Sequence, residues 1–311
     1  MADIKPKIAI VTDEPGWHGR QLKEALAAHG LSSQYVSSME CLMNITDSGT
    51  QINLPGFEND PLAVFVRGVP GGTLEQVIFR LNILHTLSEM GIVVYNNPRG
   101  IERTVDKAMT SFLLKQAGLP TPETWVCESN EKAEFIYRQQ CGQGGKLVIK
   151  PLFGSQGIGV HLLDSDTGLI HDEYFAGVYY LQSFIDCGDK DSFDIRVFVI
   201  NGKAIAAMIR RSTSWITNRA QGAQCEPLRL DGELCQLSEA AVKAVGIDYG
   251  GVDLIPDTNG RLQVIEVNSI PAWWGLQKVT DINIASSLID DMVNRLTDCP
   301  ELSNSLSKNR T

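Results

Sequence analysis

The chain has 311 residues, 43% of them hydrophobic and 21% charged, with a formal net charge of −10. A chain of this length can bury a large core in two or three packed units. The acidic balance argues against non-specific nucleic-acid binding, in which lysine and arginine displace counterions from phosphates. Seven cysteines (Cys41, Cys127, Cys141, Cys187, Cys225, Cys235 and Cys299) are scattered without a C-x-x-C pair. Neither a disulfide framework nor a zinc site is expected. The N-terminal segment has a four-residue apolar run before charge returns, too short for a signal peptide or a membrane span. A cytoplasmic protein with no membrane or nucleic-acid partner is expected.

Residues 7–100 alternate strand and helix signals. Lys7–Thr12 is β-rich and is followed by helix-like Gln21–His29, with Leu22, Ala25, Leu26 and Ala28 apolar and Gly30 as a stop. Leu62–Arg67 is a second buried strand. Thr73 caps a helix over Leu74–Met90, whose broad apolar face includes Leu74, Val77, Ile78, Leu81, Leu84 and Leu87. Gly91 ends it, and Ile92–Tyr95 is a third strand. This βαβ rhythm predicts a small parallel sheet. A further helix runs from Thr104 to Gly118, and Pro120 and Pro122 break the chain after it. Lys146–Pro151, a glycine-rich loop and Gly159–Leu163 read as a hairpin. From Tyr180 onward strands predominate, at Tyr180–Phe184, Phe193–Ile200, Ala204–Ile209, Gly251–Ile255 and Leu262–Val267, with helices at 236–245 and 282–296. The polar tail from Leu302 to Thr311 reads as frayed. The fold class is α/β, turning to α+β in the C-terminal half.

Three constellations carry chemistry. The segment Lys150-Pro-Leu-Phe-Gly154-Ser155-Gln156-Gly157-Ile158-Gly159 has three glycines in six residues, which lets a backbone close over phosphates and aim its N–H groups at them. It is not a Walker A loop, since no Gly-Lys-Ser/Thr follows, and a plain hairpin turn is the competing reading. Lys150 adds a point charge beside it. Asp253, Glu266 and Asn268 form a hard-oxygen set suited to Mg²⁺. Glu266 and Asn268 are two apart on a strand and share a face. Leu262 and Val264 are expected deeper on that same face. A polar strand end at the surface is the competing reading. Third, Arg196 and Arg210 lie on two strands joined at Asn201-Gly202, a hairpin signal. Inward arginines need anionic partners, and a structural pair with Asp194 competes with binding of phosphate or carboxylate.

Taken together, Asp106-Lys107, VIKPLFGSQGIGV, YLQSFI, DIRVFVINGKAIAAMIRR, Asn218…Gly222, GVDL and VIEVNSIP follow one another over residues 95–297. In this order they resemble the ATP-grasp superfamily, and within it the RimK-like glutamate ligases. The resemblance implies that Lys107 and Lys150 contact the phosphates of ATP, with the loop Gly154, Ser155, Gln156, Gly157 and Gly159 closing over them. It implies that Gln182, Ser183 and Phe184 form a hinge at the adenine, with Asp194 close by. Asp253, Glu266 and Asn268 would hold Mg²⁺, with Mn²⁺ as a substitute, and Arg196, Arg210 and Asn218 would sit at the reacting groups.

The resemblance also implies three domains: 1–100, an N-terminal α/β domain; 101–180, a central domain with the glycine-rich loop; and 181–298, a C-terminal domain with the metal site. A polar tail, 299–311, follows. ATP is gripped between the second and third. The implied activity joins a carboxylate to an amine through an acyl-phosphate, adding L-glutamate to a small carboxylate-bearing acceptor. The phrase Arg67-Gly-Val-Pro-Gly-Gly-Thr-Leu-Glu75-Gln76 resembles the subgroup that modifies tetrahydromethanopterin- or methanofuran-type coenzymes. Modification of a protein C-terminus and a catalytically inactive ATP-binding regulator are the alternatives, and a homodimer or homotetramer is expected. Departures at Ser269-Ile-Pro-Ala-Trp273-Trp274 and between Arg211 and Asn218 leave the acceptor open. Trp273 and Trp274 either stack on a flat acceptor or pack over a domain edge, Arg67 is a further candidate substrate contact, and Trp17 and His18 form a similar, weaker pair.

Overall fold

The computed structural model describes residues 7–154, 157–188, 192–217 and 222–297; the polar tail lies outside them. The chain divides into two units, one comprising 1–102, 247–249 and 270–311, the other 103–246 and 250–269.

The first unit opens with β1 (Lys7–Val11), α1 (Gly16–Ala28), β2 (Ser32–Val36), a hairpin of β3 (Leu42–Thr46) and β4 (Gly49–Asn53), β5 (Ala63–Val66), α2 (Leu74–Glu89) and β6 (Val93–Tyr95). The four sheet strands run parallel in the order β2-β1-β5-β6, as the βαβ rhythm predicts. Ile8 to Val11 and Ala63 to Val66 are buried without a break, because a parallel sheet covered on both faces leaves no polar side to its central strands. Helix α1 starts five residues before the expected Gln21. Its N-cap is Pro15, with no side-chain cap bond, so the usual start signal is absent from the sequence. The Thr73 cap is as expected and forms a capping box with Gln76. The expected face of α2 needs correction: Leu74 and Ile78 are exposed, and the buried stripe is Arg80, Ile83, Leu84 and Leu87. At 100° per residue Leu74 and Ile78 point away from that stripe.

Helix α3 (Pro98–Val105) enters the second unit, followed by α4 (Lys107–Gln116), β7 (Thr124–Cys127), α5 (Asn130–Cys141), β8 (Leu147–Lys150), β9 (His161–Leu163) and β10 (Tyr179–Ser183). The helix expected over Thr104–Gly118 is α4, and Thr104 and Val105 instead end the separate α3, because Asp106 takes an extended conformation and caps α4 by accepting from Ala108 and Met109 N–H. The β8–β9 hairpin is present, with Leu147 opposite Leu163, inside an antiparallel sheet ordered β7-β10-β8-β9. Then come β11 (Ser192–Ile200), β12 (Lys203–Ser212), β13 (Gln224–Leu228), α6 (Gly232–Val245), β14 (Tyr249–Pro256) and β15 (Leu262–Asn268), giving a second sheet ordered β13-β12-β11-β14-β15. The β11–β12 turn has positive φ at both Asn201 and Gly202, which matches a right-handed hairpin twist. The chain returns to the first unit with α7 (Trp274–Gln277) and α8 (Ile284–Thr297), where α8 lies against α1.

Candidate active site

One cleft in the second unit brings together most of the residues singled out in the sequence. Its floor is the end of β8 and the start of α4. Lys150, the last residue of β8, donates to Gln182 Oε1 on the neighbouring β10 at 2.8 Å. Gln182 in turn donates to Thr124 Oγ1 at 3.1 Å and Tyr180 Oη at 3.0 Å. Burial, reinforced by the nearby charge of Lys107 and opposed by Glu266, pulls the Lys150 ammonium down to about 8. Lys107, the first residue of α4, donates to the Gly154 carbonyl at 2.8 Å, and burial lowers its pKa also. Two ammonium groups therefore sit at the foot of the glycine-rich loop.

That loop needs its glycines. Gly154, Gly157 and Gly159 all have positive φ, and a Cβ at Gly159 would come within 2.9 Å of Pro151 Cγ and of Tyr174 Cβ. Ser155 and Gln156 fall outside the described residues.

The opposite wall is the second sheet. Asp253 pairs across β14–β15 with Glu266, and Gly251 with Asn268, so the three polar side chains share the cleft face. The reason differs from the expected simple alternation. The register shifts between Asp253 and Leu254, and Ile265 and Glu266 both line the cleft while Val264 and Val267 are fully buried. A β-bulge thus moves Glu266 and Asn268 to the face opposite Leu262 and Val264.

Behind them lies a buried charge network. Arg210 donates to both oxygens of Asp194, at 2.6 and 2.5 Å, and Thr217 Oγ1 donates to Asp194 Oδ2 at 2.6 Å. Arg210 Nη2 also lies 2.9 Å from Asp253 Oδ2. Arg196 embraces the same Asp253 carboxylate through Nε and, at 2.7 Å, Nη2. Burial works against the Asp253 charge, but Arg196 and Arg210 outweigh it and hold the carboxyl below its usual range. For Asp194 burial wins over Arg210 and raises the carboxyl. The two arginines expected to wait for substrate anions therefore already have carboxylates of the chain as partners.

A metal site can be tested on the same wall. Among the described residues no group of three or more Asp, Glu, His or Cys side chains is placed to cage an ion. Glu266 makes no hydrogen bond or ion pair among them, and the buried Asn268 Nδ2 has no partner. A hard cation that keeps part of its shell for phosphate oxygens fits the free Glu266 carboxylate and the Asn268 amide oxygen, and the unpartnered Asn268 Nδ2 donor suits one of those phosphate oxygens. Asp253 would join only by sharing an oxygen that its arginines now hold.

A description of the RimK-like ATP-grasp domain matches residues 104–292. The chain belongs to this family. It is 32% identical over 300 residues to the tetrahydromethanopterin:alpha-L-glutamate ligase of Methanococcus maripaludis, covering 93% of this chain and 98% of that one. It is 30% identical over 292 residues to a probable alpha-L-glutamate ligase of Legionella pneumophila (strain Paris), covering 91% and 94%. Among solved structures, the ATP-grasp ligase PsnB with minimal precursor, Mg and ADP superposes with a TM-score of 0.70 at 21% identity, over 93% of this chain and 97% of that one. The fold is the ATP-grasp fold, and the protein is an ATP-grasp ligase.

Within this RimK-like frame the cleft gathers Lys107, Lys150, Gly154, Gly157, Gln182, Ser183, Phe184, Asp194, Arg196, Arg210, Asp253, Glu266 and Asn268. Asn218 lies outside the described residues. Gln182, assigned to the adenine hinge, has its side chain committed to Lys150, Thr124 and Tyr180. Missed by the sequence reading is the apolar wall, Val148, Ile185, Trp215 and Ile216, where Phe184 and Trp215 meet edge-on with centroids 6.2 Å apart. Apolar residues of this kind carry no signal that separates a ring-binding wall from core. Thr217 was missed also, although it lies in the segment between Arg211 and Asn218 flagged as a departure.

The remaining candidates belong to the first unit. Trp273 is fully buried, which is the packing alternative: it meets Trp17 and His18 edge-on and lies under Arg67, 5.3 Å from the guanidinium. His18 accepts the Trp273 backbone N–H at 3.1 Å. Trp274 has Lys278 Nζ over its ring at 3.4 Å. Among the described residues no helix is long and apolar enough to cross a membrane.

Proposed function

We propose that this ligase adds L-glutamate to a small carboxylate-bearing acceptor of the tetrahydromethanopterin or methanofuran type, using ATP and Mg²⁺ in the cleft of the second unit. The observation that carries the reading is the pairing of two ammonium groups, Lys107 and Lys150, with the uncommitted Glu266 and Asn268 across one cleft. Cations on one wall and metal-type oxygen donors on the other suit a nucleoside triphosphate with its metal. The acceptor class rests on the relatives' names and on the Arg67–Gln76 phrase, and glutamate on the same names. We further propose that the two sheets of the second unit, on 124–183 and 192–268, are the two nucleotide-gripping domains. A cytoplasmic homodimer or homotetramer completes the reading.

A carboxylate is a poor electrophile and does not condense with an amine unaided. Lys107 and Lys150 would hold the phosphates while the glycine-rich loop excludes water. Glu266, Asn268 and a shared oxygen of Asp253 would hold Mg²⁺, with Mn²⁺ as a substitute, whose positive charge would offset the negative charge on the phosphoryl oxygens. An acceptor carboxylate oxygen attacks the γ-phosphorus and ADP leaves. The glutamate nitrogen then attacks the acyl carbon, phosphate leaves, and the amine proton passes to solvent or the departing phosphate. Arg210 is fixed by Asp194 and Asp253, and with Arg196 and Asn218 it would steady the tetrahedral oxyanion. Phe184, Ile185 and Val148 offer an apolar wall to the adenine ring, next to Ser183.

The test is purified protein with Mg-ATP, an amino-acid panel and pterin or furan coenzyme precursors, read by ADP release and product mass. Release that requires both L-glutamate and one acceptor is expected. Release indifferent to every amino acid would overturn the reading.

A further inference from the structure

The parallel sheet of the first unit has a topological switch point that the nucleotide chemistry does not use. From β1 the chain moves through α1 to β2 on one side, and from β5 it moves through α2 to β6 on the other. Ligands of open parallel sheets bind in the crevice that this divergence leaves beyond the carboxyl ends of the strands. A cavity of about 390 Å³ lies there, lined by Thr12, Asp13 and Glu14 after β1 and by Arg67 to Gly71 after β5.

Arg67 is the unusual element. Its Nε is buried and has no hydrogen-bond partner, and the guanidinium has no ion pair among the described residues. Its neighbours do not neutralise it. Trp273 lies beneath it and offers only a ring face. His18 is held neutral, down to about 4, by burial and by Arg67 itself. A largely desolvated cation without a counter-charge costs folding free energy, and an anionic ligand would offset that cost. The loop is also built in advance: the buried Arg80 of α2 donates to the carbonyls of Pro70 at 2.8 Å and Gly71 at 2.7 Å, which fixes Gly68–Gly71 beside Arg67. At the exposed edge of the cavity stand the carboxylates of Asp13 and Glu14, Asp13 accepting from Ser37 Oγ.

One half-buried positive charge and two exposed negative ones match the two poles of a zwitterion. We propose that this cavity binds the α-amino-acid substrate, its α-carboxylate on Arg67 and its ammonium toward Asp13 and Glu14. The inference rests on the ligase reading for the role of the bound amino acid, but not for the binding itself. An acceptor with only carboxylates would meet repulsion from Asp13 and Glu14.

The test is calorimetric titration of the full chain with L-glutamate, glutarate and 4-aminobutyrate, without nucleotide. L-Glutamate should bind; glutarate lacks the ammonium and 4-aminobutyrate the α-carboxylate, and both should bind at least tenfold more weakly. Arg67→Gln should weaken L-glutamate at least tenfold, and Glu14→Gln, a surface change that leaves the fold intact, severalfold. Arg67→Gln should keep or raise the melting temperature, since it removes a half-buried charge with no ion pair among the described residues. Steady-state assays with the same variants should raise KM for the amino acid and leave KM for ATP unchanged. Wild-type titration without turnover would sink the ligase reading and leave this site standing. Unchanged L-glutamate affinity in both variants, a rise confined to the KM of the acceptor, or a marked fall in the melting temperature of Arg67→Gln would each overturn the proposal.

Discussion

Lys150 Nζ donates to Gln182 Oε1 at 2.8 Å, so the cation at the foot of the glycine-rich loop is held by a neutral amide. A neutral amide stabilises an ammonium less than a carboxylate would, and burial outweighs it and lowers the pKa to about 8. The charged form, which would bind phosphate, dominates below that pH and is lost above it. The kcat/KM for ATP should be flat below pH 8 and fall about tenfold per unit above it, as a single ionisation dictates. Gln182→Glu supplies a negative partner and should move the fall to higher pH. A pH profile of both proteins checks this, and coincident profiles would refute the assignment to Lys150. The linkage runs in the same direction. With its pKa depressed on folding, Lys150 makes the fold more stable as pH rises from about 8 to the ordinary lysine value, and that stability is lost on returning below 8.

The alternating row Thr217, Asp194, Arg210, Asp253, Arg196 places two guanidinium groups against two carboxylates. A buried ion pair gives little net stability, but breaking one side leaves a desolvated charge. Arg210→Met leaves Asp194 with Thr217 alone, and should cost about 3–5 kcal/mol in denaturant unfolding. Adding Asp194→Leu removes the stranded carboxylate and should recover a large part of that loss. A double variant less stable than the single one would count against an electrostatic origin.

This row also shows how far the sequence could be read. The Asn201-Gly202 turn is legible as a hairpin signal, and the sharing of one face by Asp194 and Arg196 follows from strand alternation. Regular pairing from that turn would set Arg210 opposite Phe193, and the register shift between Phe198 and Val199 sets it opposite Asp194 instead. Their partners are not legible, because the β11–β14 neighbourhood joins segments more than fifty positions apart. The bulge at Ile265 and Glu266 was hidden for a related reason. A period of two applied to Leu262, Val264, Glu266 and Asn268 places all four on one face, and only the pairing with Asp253 and Leu254 reveals the extra residue. The start of helix α1 carries no sequence signal because Pro15 supplies no side-chain cap, whereas the α2 start is legible because Thr73 and Gln76 cap each other.

Glu266 is half-buried, faces Asp253 across the bulge, and makes no ion pair among the described residues. Glu266→Gln keeps the shape and removes the charge that would hold the metal. Turnover should fall about 10²–10³-fold, the scale for losing one preorganised electrostatic partner in an active site. ATP binding by calorimetry should survive in part, because Lys107 and Lys150 remain. Raising Mg²⁺ should recover some activity if the loss is in metal affinity. Turnover equal to the parent at low Mg²⁺ would remove Glu266 from the metal set.

Gly159 and Gly168 have nearly the same φ, +68 and +72, but differ in surroundings. A Cβ at Gly168 meets nothing within 4 Å, whereas at Gly159 it would crowd Pro151 and Tyr174 at 2.9 Å. Gly168→Ala should therefore show the conformational cost alone, about 1–2 kcal/mol, with ATP kinetics unchanged. Gly159→Ala carries that cost plus displacement of the loop from Pro151, which directly follows Lys150. Its KM for ATP should rise several-fold, and uncoupled ATP hydrolysis should increase as water reaches the proposed acyl-phosphate. Comparing ADP release with amide product in the two variants separates the effects. Equal coupling in both would mean that the loop does not seal the site.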